Sequence, residues 1–307
     1  MKNLFFTFCL LFIGGFSLLA QEAPSTSAPL EKSLLWEITG KDLTQPSYLY
    51  GTIHLIDKES FFFTDATKEA MDKVEGFAFE IDMNEMNDPM KIMPLMMKAM
   101  MPGDSSLSNL LSPEDYKKVS DHFQKMGLPM MMLERIKPMF LSALVGNEGG
   151  GDMFSNPMGG GNGSTMSYEF EIMEVANKRE KPISGLESME FQMSIFDSIP
   201  YRAQAKMLVD AVSMEKDSAS SSQLDELVKI YKDQDIEAMI NAMDDEGGIG
   251  GYENILLDNR NKNWIPIMEE KMAENTMFFA VGAGHLAGEN GVIKLLRKAG
   301  YELKPLY

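Results

Sequence analysis

A chain of 307 residues, 44% of them hydrophobic, is long enough to bury a full core as one large domain or two ordinary ones. Its 46 acidic against 28 basic side chains give a net charge of −18, which argues against nucleic acid as a partner, because that binding relies on basic side chains displacing counterions. The same balance argues against electrostatic docking on anionic lipid.

In chain order, Lys2 and an apolar run over 4–19 precede Ala20 and Gln21, the pattern of a signal peptide over residues 1–20. The run is shorter than the ~20 apolar residues of a comfortable span, so an exported protein with no stable membrane span after signal removal is expected, periplasmic or extracellular. The single cysteine, Cys9, lies in that segment, leaving no disulfide and no thiolate chemistry in the mature chain. Residues 21–33 read as a flexible leader and 34–307 as a single domain.

Leu34-Leu35-Trp36-Glu37-Ile38 reads as a first strand, residues 42–46 as a turn, and Tyr48-Leu49-Tyr50-Gly51-Thr52-Ile53-His54 as its hairpin partner, ending in a glycine turn that presents His54. A short helix is expected over 65–74. In the strand 76–82, period-2 alternation sets Phe77, Phe79 and Ile81 on one face and Ala78, Glu80 and Asp82 on the other. Buried carboxylates there need a metal, an arginine or water. Over 83–101, Met83, Met86, Met90, Met93, Met97 and Met100 recur at helical spacing, and Pro89 and Pro94 should kink or break that helix. Ser112-Pro113 starts another, with Tyr116, Val119, Phe123 and Met126 as its apolar face and His122 off it. A helix over 130–145, kinked at Pro138, and a glycine-rich mobile loop over 146–164 complete a Met-rich, largely helical insertion over 83–165.

A helix over 168–178 precedes a strand over 182–187 that ends in Glu187. Helices follow over 189–196, 201–214, 223–232 and 235–243. From Tyr252 onward, Glu253, Leu256, Leu257, Arg260, Trp264, Ile267 and Met268 share a helix face, so Arg260 sits on the apolar side and must meet an anion there. The strand 276–281 runs into Gly282-Ala283-Gly284-His285, an amphipathic helix covers 292–299, and a last strand covers 301–306. Strands and helices alternate at both ends of the chain, which predicts an α/β fold with a mixed central sheet flanked by helices.

Two of the three histidines follow a strand-like run as Gly-x-x-His, which suggests two strand ends side by side with both imidazoles aimed at one point. His54, Glu80, Glu187, Arg260 and His285 form the candidate cluster. Two imidazoles and one or two carboxylates suit a divalent ion such as Zn, Mn or Co, which activates water near neutral pH. Arg260 suits an oxyanion or a substrate carboxylate. Against this stand a structural role for each histidine and an ion pair between Glu80 and Arg260. The methionines suit an adaptable apolar surface that receives a peptide or hydrophobic ligand, or a Cu(I) site.

Leu35-Trp36-Glu37-Ile38 with the run 48–54, Gly185-Leu186-Glu187 with Gln192, and Arg260-Asn261, Trp264 and Val281-Gly282-Ala283-Gly284-His285-Leu286 resemble the motifs of the TraB/GumN family, from about Leu34 to the C-terminus. That resemblance implies a relationship to the TIKI metalloproteases, and with it an exported metal-dependent hydrolase, a peptidase acting on a peptide or protein. His54, Glu80 and His285 would hold the metal, Glu187 would be a further ligand or the general base, and Arg260 would be the associated arginine. Where the resemblance calls for an aspartate seven residues before Ala176, this chain has Glu169, which is left off the site. The alternative is a non-catalytic exported protein that binds its ligand, or copper, on the Met-rich surface.

Overall fold

A computed structural model describes residues 29–54, 56–82, 89–142, 144–145, 165–216, 218–245 and 251–307. The expected signal peptide, most of the leader, Met83, Met86 and the glycine-rich loop lie outside the described residues.

Eight strands are described: β1 (Leu35–Gly40), β2 (Ser47–Thr52), β3 (Ile56–Asp57), β4 (Gly76–Ile81), β5 (Thr165–Met166), β6 (Ile183–Glu187), β7 (Met277–Gly282) and β8 (Tyr301–Leu306). Six of them form one mixed sheet in the order β6-β4-β7-β2-β1-β8. The β1–β2 hairpin is antiparallel, with Trp36 opposite Leu49, and β8 closes the edge antiparallel to β1. β2, β7, β4 and β6 are mutually parallel, so their C-terminal ends emerge along one edge. Helices cover the sheet, as the alternation of elements predicts. Every residue of β2 is buried, which is why it reads as a continuous apolar run.

The main core gathers Trp36, Tyr50, Phe77, Phe79, Phe278 and Phe279 from the sheet with Trp264 and Tyr168 from the helices over it. A second core, built on Leu107, Val119, Phe123, Leu133, Leu141 and Leu208, joins helices of the insertion to Tyr201–Lys216. The insertion therefore packs around its own apolar centre. Among the described residues no helix is long and apolar enough to cross a membrane.

Two local expectations are corrected. The helix expected over 130–145 is broken into Met130–Leu133 and Pro138–Ser142. Between them Met101 N–H donates to Arg135 O and Lys137 N–H to Ala99 O, so the chain pairs in extended form just ahead of Pro138, a residue that disfavours helix before it. Pro94 lies inside the helix Pro89–Lys98, and the stretch before Pro89 lies outside the described residues. His122 is buried rather than off the apolar face of Pro113–Lys125, its ring 5.0 Å from that of Phe123. Three residues after Val119, it falls on the same stripe.

Candidate functional site

Four of the five candidate side chains leave the same sheet edge. β2 pairs with β7 as far as Thr52 opposite Gly282, and His54 and His285 follow in the next turns. Glu80 ends β4 and Glu187 ends β6, so all four parallel strands deliver one group, at the edge where open α/β sheets usually bind ligands. Gly51 eases this convergence: a Cβ on it would lie 3.1 Å from the Cβ of Ala283 in the turn leading to His285, closer than side chains usually pack. Gly282 also favours the convergence, for another reason. Its N–H donates to Glu80 Oε1 at 2.9 Å, and a Cβ there would lie 3.3 Å from the same oxygen. Gly282→Ala should displace the Glu80 carboxylate by a few tenths of an ångström and weaken its bond to that N–H, so that the pKa of Glu80 rises from its depressed value. An unchanged carboxyl titration in the folded variant, followed by NMR, would show that this N–H does not help hold Glu80 ionised.

The helix Asn259–Glu274 brings Arg260 over this edge. Its Nε and Nη2 donate to Glu187 Oε1 at 3.1 and 2.7 Å, Nη2 donates to Glu80 Oε2 at 2.5 Å, and Nη1 lies 3.1 Å from His285 Nε2. Trp264, one turn on, donates its indole N–H to Glu187 Oε2 at 3.0 Å and lies under the guanidinium at 4.9 Å. Burial alone works against the charge on Arg260, and the two carboxylates more than offset it, so its pKa is raised. Burial would likewise raise Glu80, but His285, Arg260 and His54 together with the Gly282 N–H hold it down at about 2.

His285 is buried, and its Nδ1 lies 2.6 Å from Asn261 Oδ1. The Asn261 amide nitrogen donates to His285 O and Asn290 O, which turns its oxygen toward the imidazole. The proton therefore belongs on Nδ1 and the lone pair on Nε2 faces Arg260. Burial, with the charge of Arg260, lowers the pKa of His285 to about 4, so it is neutral at pH 7.

His54 stands at the rim, its side chain 82% accessible to water although it is flanked by the walls of the cavity described below. Its Nδ1 lies 3.1 Å from Glu169 Oε1, and that hydrogen bond, with the charge of Glu169, raises its pKa to about 9. Glu169 also accepts from Thr52 Oγ1 at 2.7 Å and Ser167 Oγ at 3.0 Å. It arrives there because β5 pairs with β3, two residues beyond His54, and starts the helix Tyr168–Lys178 beside Thr52. Sequence reasoning left Glu169 and Asn261 off the site, although Asn261 falls in a stretch that carried the family resemblance and Glu169 was noted as a departure from it.

His54, Glu80, Arg260 and His285 share one cavity of about 560 Å³, together with Thr52 and Gln192. Gln192 donates to Glu80 Oε2 at 3.2 Å. Glu187 is not among the lining residues and lies behind Arg260. His285 Nε2 and Glu80 Oε1 are 3.7 Å apart, a separation that two donors on one ion with bonds of about 2.0–2.2 Å can span. Both histidines are oriented through Nδ1, by Glu169 and Asn261, as metal-bound histidines are. The donor set thus fits a divalent ion in kind. Among the described residues no three His, Cys, Asp or Glu side chains already stand close enough to enclose one, since the guanidinium of Arg260 lies among the donors.

The family model described as TraB/PrgY/gumN matches residues 34–305. Among curated proteins, Metalloprotease TIKI1 of Danio rerio is 22% identical over 89% of this chain and 63% of its own length. Metalloprotease TIKI1 of Homo sapiens is 23% identical over 97% of this chain and 68% of its own length, and Metalloprotease TIKI2 of Danio rerio 21% over 89% and 60%. The chain thus spans under two thirds of the length of the first of these relatives. No solved structure matches it significantly.

Proposed function

This chain belongs to the TraB/PrgY/gumN family, and from that premise we propose that it is an exported metal-dependent peptidase. The observation that carries the reading is the pairing of Glu80 Oε1 with the neutral Nε2 of His285, 3.7 Å apart in the wall of a cavity whose rim is His54. His54, Glu80 and His285 would hold a divalent ion, Mn, Co or Zn. When bound, such an ion supplies Lewis acidity, polarising a peptide carbonyl and making water a stronger acid.

The chain's own residues then have distinct tasks. Asn261 keeps the His285 lone pair aimed into the cavity, and Glu169 orients His54. Arg260 lines the cavity and faces the negative charge that develops on the carbonyl oxygen when water adds to the carbonyl carbon. The C–N bond then breaks, and the proton lost by the water ends on the leaving amine. Glu187 was the candidate further ligand or general base. Both of its oxygens are engaged by Arg260 and Trp264 behind the cavity wall, which supports a positioning role for it. Export rests on the signal-like segment over 1–20.

The test is the metal content, and the Mn, Co and Zn affinity, of residues 21–307 beside a His54→Ala/His285→Ala double variant. The native chain should bind about one ion and the variant none, with protons released at pH 7 because His54 starts protonated. Equal uptake by both, or by neither, would sink the metal assignment.

A second reading has one observation in its favour. Met90, Met93 and Met97 of the helix Pro89–Lys98 are 83%, 69% and 74% exposed, an apolar stripe that costs solubility. A non-catalytic binder using this surface would keep its ligand after both histidines are replaced and lose it when the stripe is made polar.

A further inference from the structure

We propose that the cavity contains a preformed subsite for a large apolar side chain of the substrate, with Phe140 and Phe196 as its specificity-determining residues. The proposal rests on the peptidase reading and names the substrate class of the same site: peptides with Leu, Met or Phe next to the cleaved bond.

The cavity wall is part polar and part apolar. His54, Glu80, Arg260 and His285 are its charged and imidazole groups. Phe140, Phe196, Leu256 and Leu257 are among its apolar groups, and all four are only half buried, although the large aromatic residues of the core are almost completely enclosed. Phe140 and Phe196 meet edge to face, ring centroids 5.1 Å apart and planes at 86°. Half-open aromatic and aliphatic side chains beside a cluster of charges mark a surface built to be covered by something apolar.

The two rings are also held in place by buried polar groups. Gln204 is fully buried. Its side-chain oxygen accepts from Met139 N–H at 3.3 Å, and its nitrogen donates to Phe196 O at 2.7 Å and Ile199 O at 2.8 Å. One glutamine therefore clamps the backbone of both ring-bearing segments. The buried Lys137 pairs with Asp197 at 2.5 Å, a second tie between the residues just before and just after the two rings. Fixed walls of this kind lower the ordering cost of binding, so contact area converts efficiently into discrimination. Both segments lie in or beside the helical insertion, whereas His54, Glu80 and His285 follow or end strands of the sheet. Specificity and chemistry thus come from different parts of the fold, and the 560 Å³ between them accommodates a side chain and the peptide unit that carries it.

The experiment uses residues 21–307 loaded with metal and a set of quenched fluorescent peptides that differ at one position at a time. The native chain should prefer Phe, Leu or Met over Gly or Ser at one position next to the cleaved bond by about 10–100-fold in kcat/KM. Phe140→Ala and Phe196→Ala should each lower the Phe-to-Gly ratio about tenfold. Phe140→Trp, which fills the subsite, should invert the order toward small side chains, a gain that a misfolded protein cannot produce. Calorimetry of the same peptides on metal-free protein provides a readout independent of turnover. If no peptide is cleaved yet apolar peptides bind and Phe140→Ala weakens them, the peptidase reading falls and the subsite stands. Cleavage without an apolar preference overturns the subsite. So does a preference untouched in all three variants, a fatty acid that binds as tightly as the peptides, or the absence of both cleavage and binding.

Discussion

Arg260→Met should destabilise the protein by about 3–5 kcal/mol at pH 7, because removing one partner of a buried charge network leaves the others uncompensated. The guanidinium is the counter-charge of both Glu80 and Glu187, whose side chains are 15% and 4% exposed. Glu187 does not reach water well enough to be solvated once the arginine is gone, and Glu80 does so only through the cavity it lines. Gln192 and Gly282 still donate to Glu80 and Trp264 still donates to Glu187, but these are neutral donors. Arg260→Lys should recover only part of the loss, since one ammonium cannot reproduce the fork that serves two carboxylates at once. Arg260→Met/Glu187→Leu should recover more, because it removes the buried charge along with its partner. Urea unfolding of the three variants measures this. A loss under about 1 kcal/mol in Arg260→Met would show that both carboxylates take up protons or water at little cost. The same variant connects stability to function. With Glu80 and Glu187 unpaired, added Mn or Zn should raise its Tm more than it raises that of the native chain, and equal shifts would show that the arginine and the metal do not share the carboxylates.

The sheet was legible because its signals are local. Leu34-Leu35-Trp36-Glu37-Ile38 and Tyr48-Leu49-Tyr50 alternate with turn residues, and the hairpin and final strand appear where that pattern puts them. The relation between His54 and His285 was legible for a different reason: the same Gly-x-x-His ending on two apolar strands suggests neighbours, and β2 and β7 are adjacent and parallel. Arg260 on an apolar helix face implied an anion, but not that two carboxylates would share it. The buried face of that helix was misread in part. A wider turn at Asn254–Asp258 precedes Asn259–Glu274 and shifts its phase, so Asn261, Ile265 and Met272 are buried and Ile267 is only half buried. A period of 3.6 carried through from Glu253 cannot anticipate this. Glu169 escaped because its approach to His54 depends on the two-residue β3–β5 ladder, too short to leave a pattern in the sequence.

Acid should unfold the metal-free protein in two overlapping steps, and both have the same sign. His285 has an ordinary pKa of 6.5 when unfolded and about 4 when folded, lowered by burial and by Arg260. Between those values the unfolded chain binds a proton that the folded chain refuses, so stability falls as pH drops from 6.5 toward 4. Glu80 has an ordinary pKa of 4.5 and a folded value of about 2, held down against burial by His285, Arg260 and His54. Its contribution is complete above 4.5 and is lost as pH falls toward 2. Each shift of roughly 2.5 pKa units corresponds to a loss on the order of 3 kcal/mol. On the alkaline side His54 acts in the opposite sense. Its raised pKa favours the folded state at low pH, and that support fades as pH rises through about 9, weakly because the ring is mostly in water. Thermal unfolding of chelator-treated protein from pH 8 to pH 3 measures the profile, and His285→Gln separates the two acid steps. That variant should be flatter between pH 6.5 and pH 4.5 and should show a smaller fall below pH 4.5, because Arg260, His54 and the Gly282 N–H still hold Glu80 down but the charge of His285 no longer does. An unchanged profile would mean that His285 takes up its proton in the folded state at little cost. Its Nε2 would then be a cation through the mildly acidic range, and the neutral imidazole on which the metal assignment depends would be lost well above pH 4.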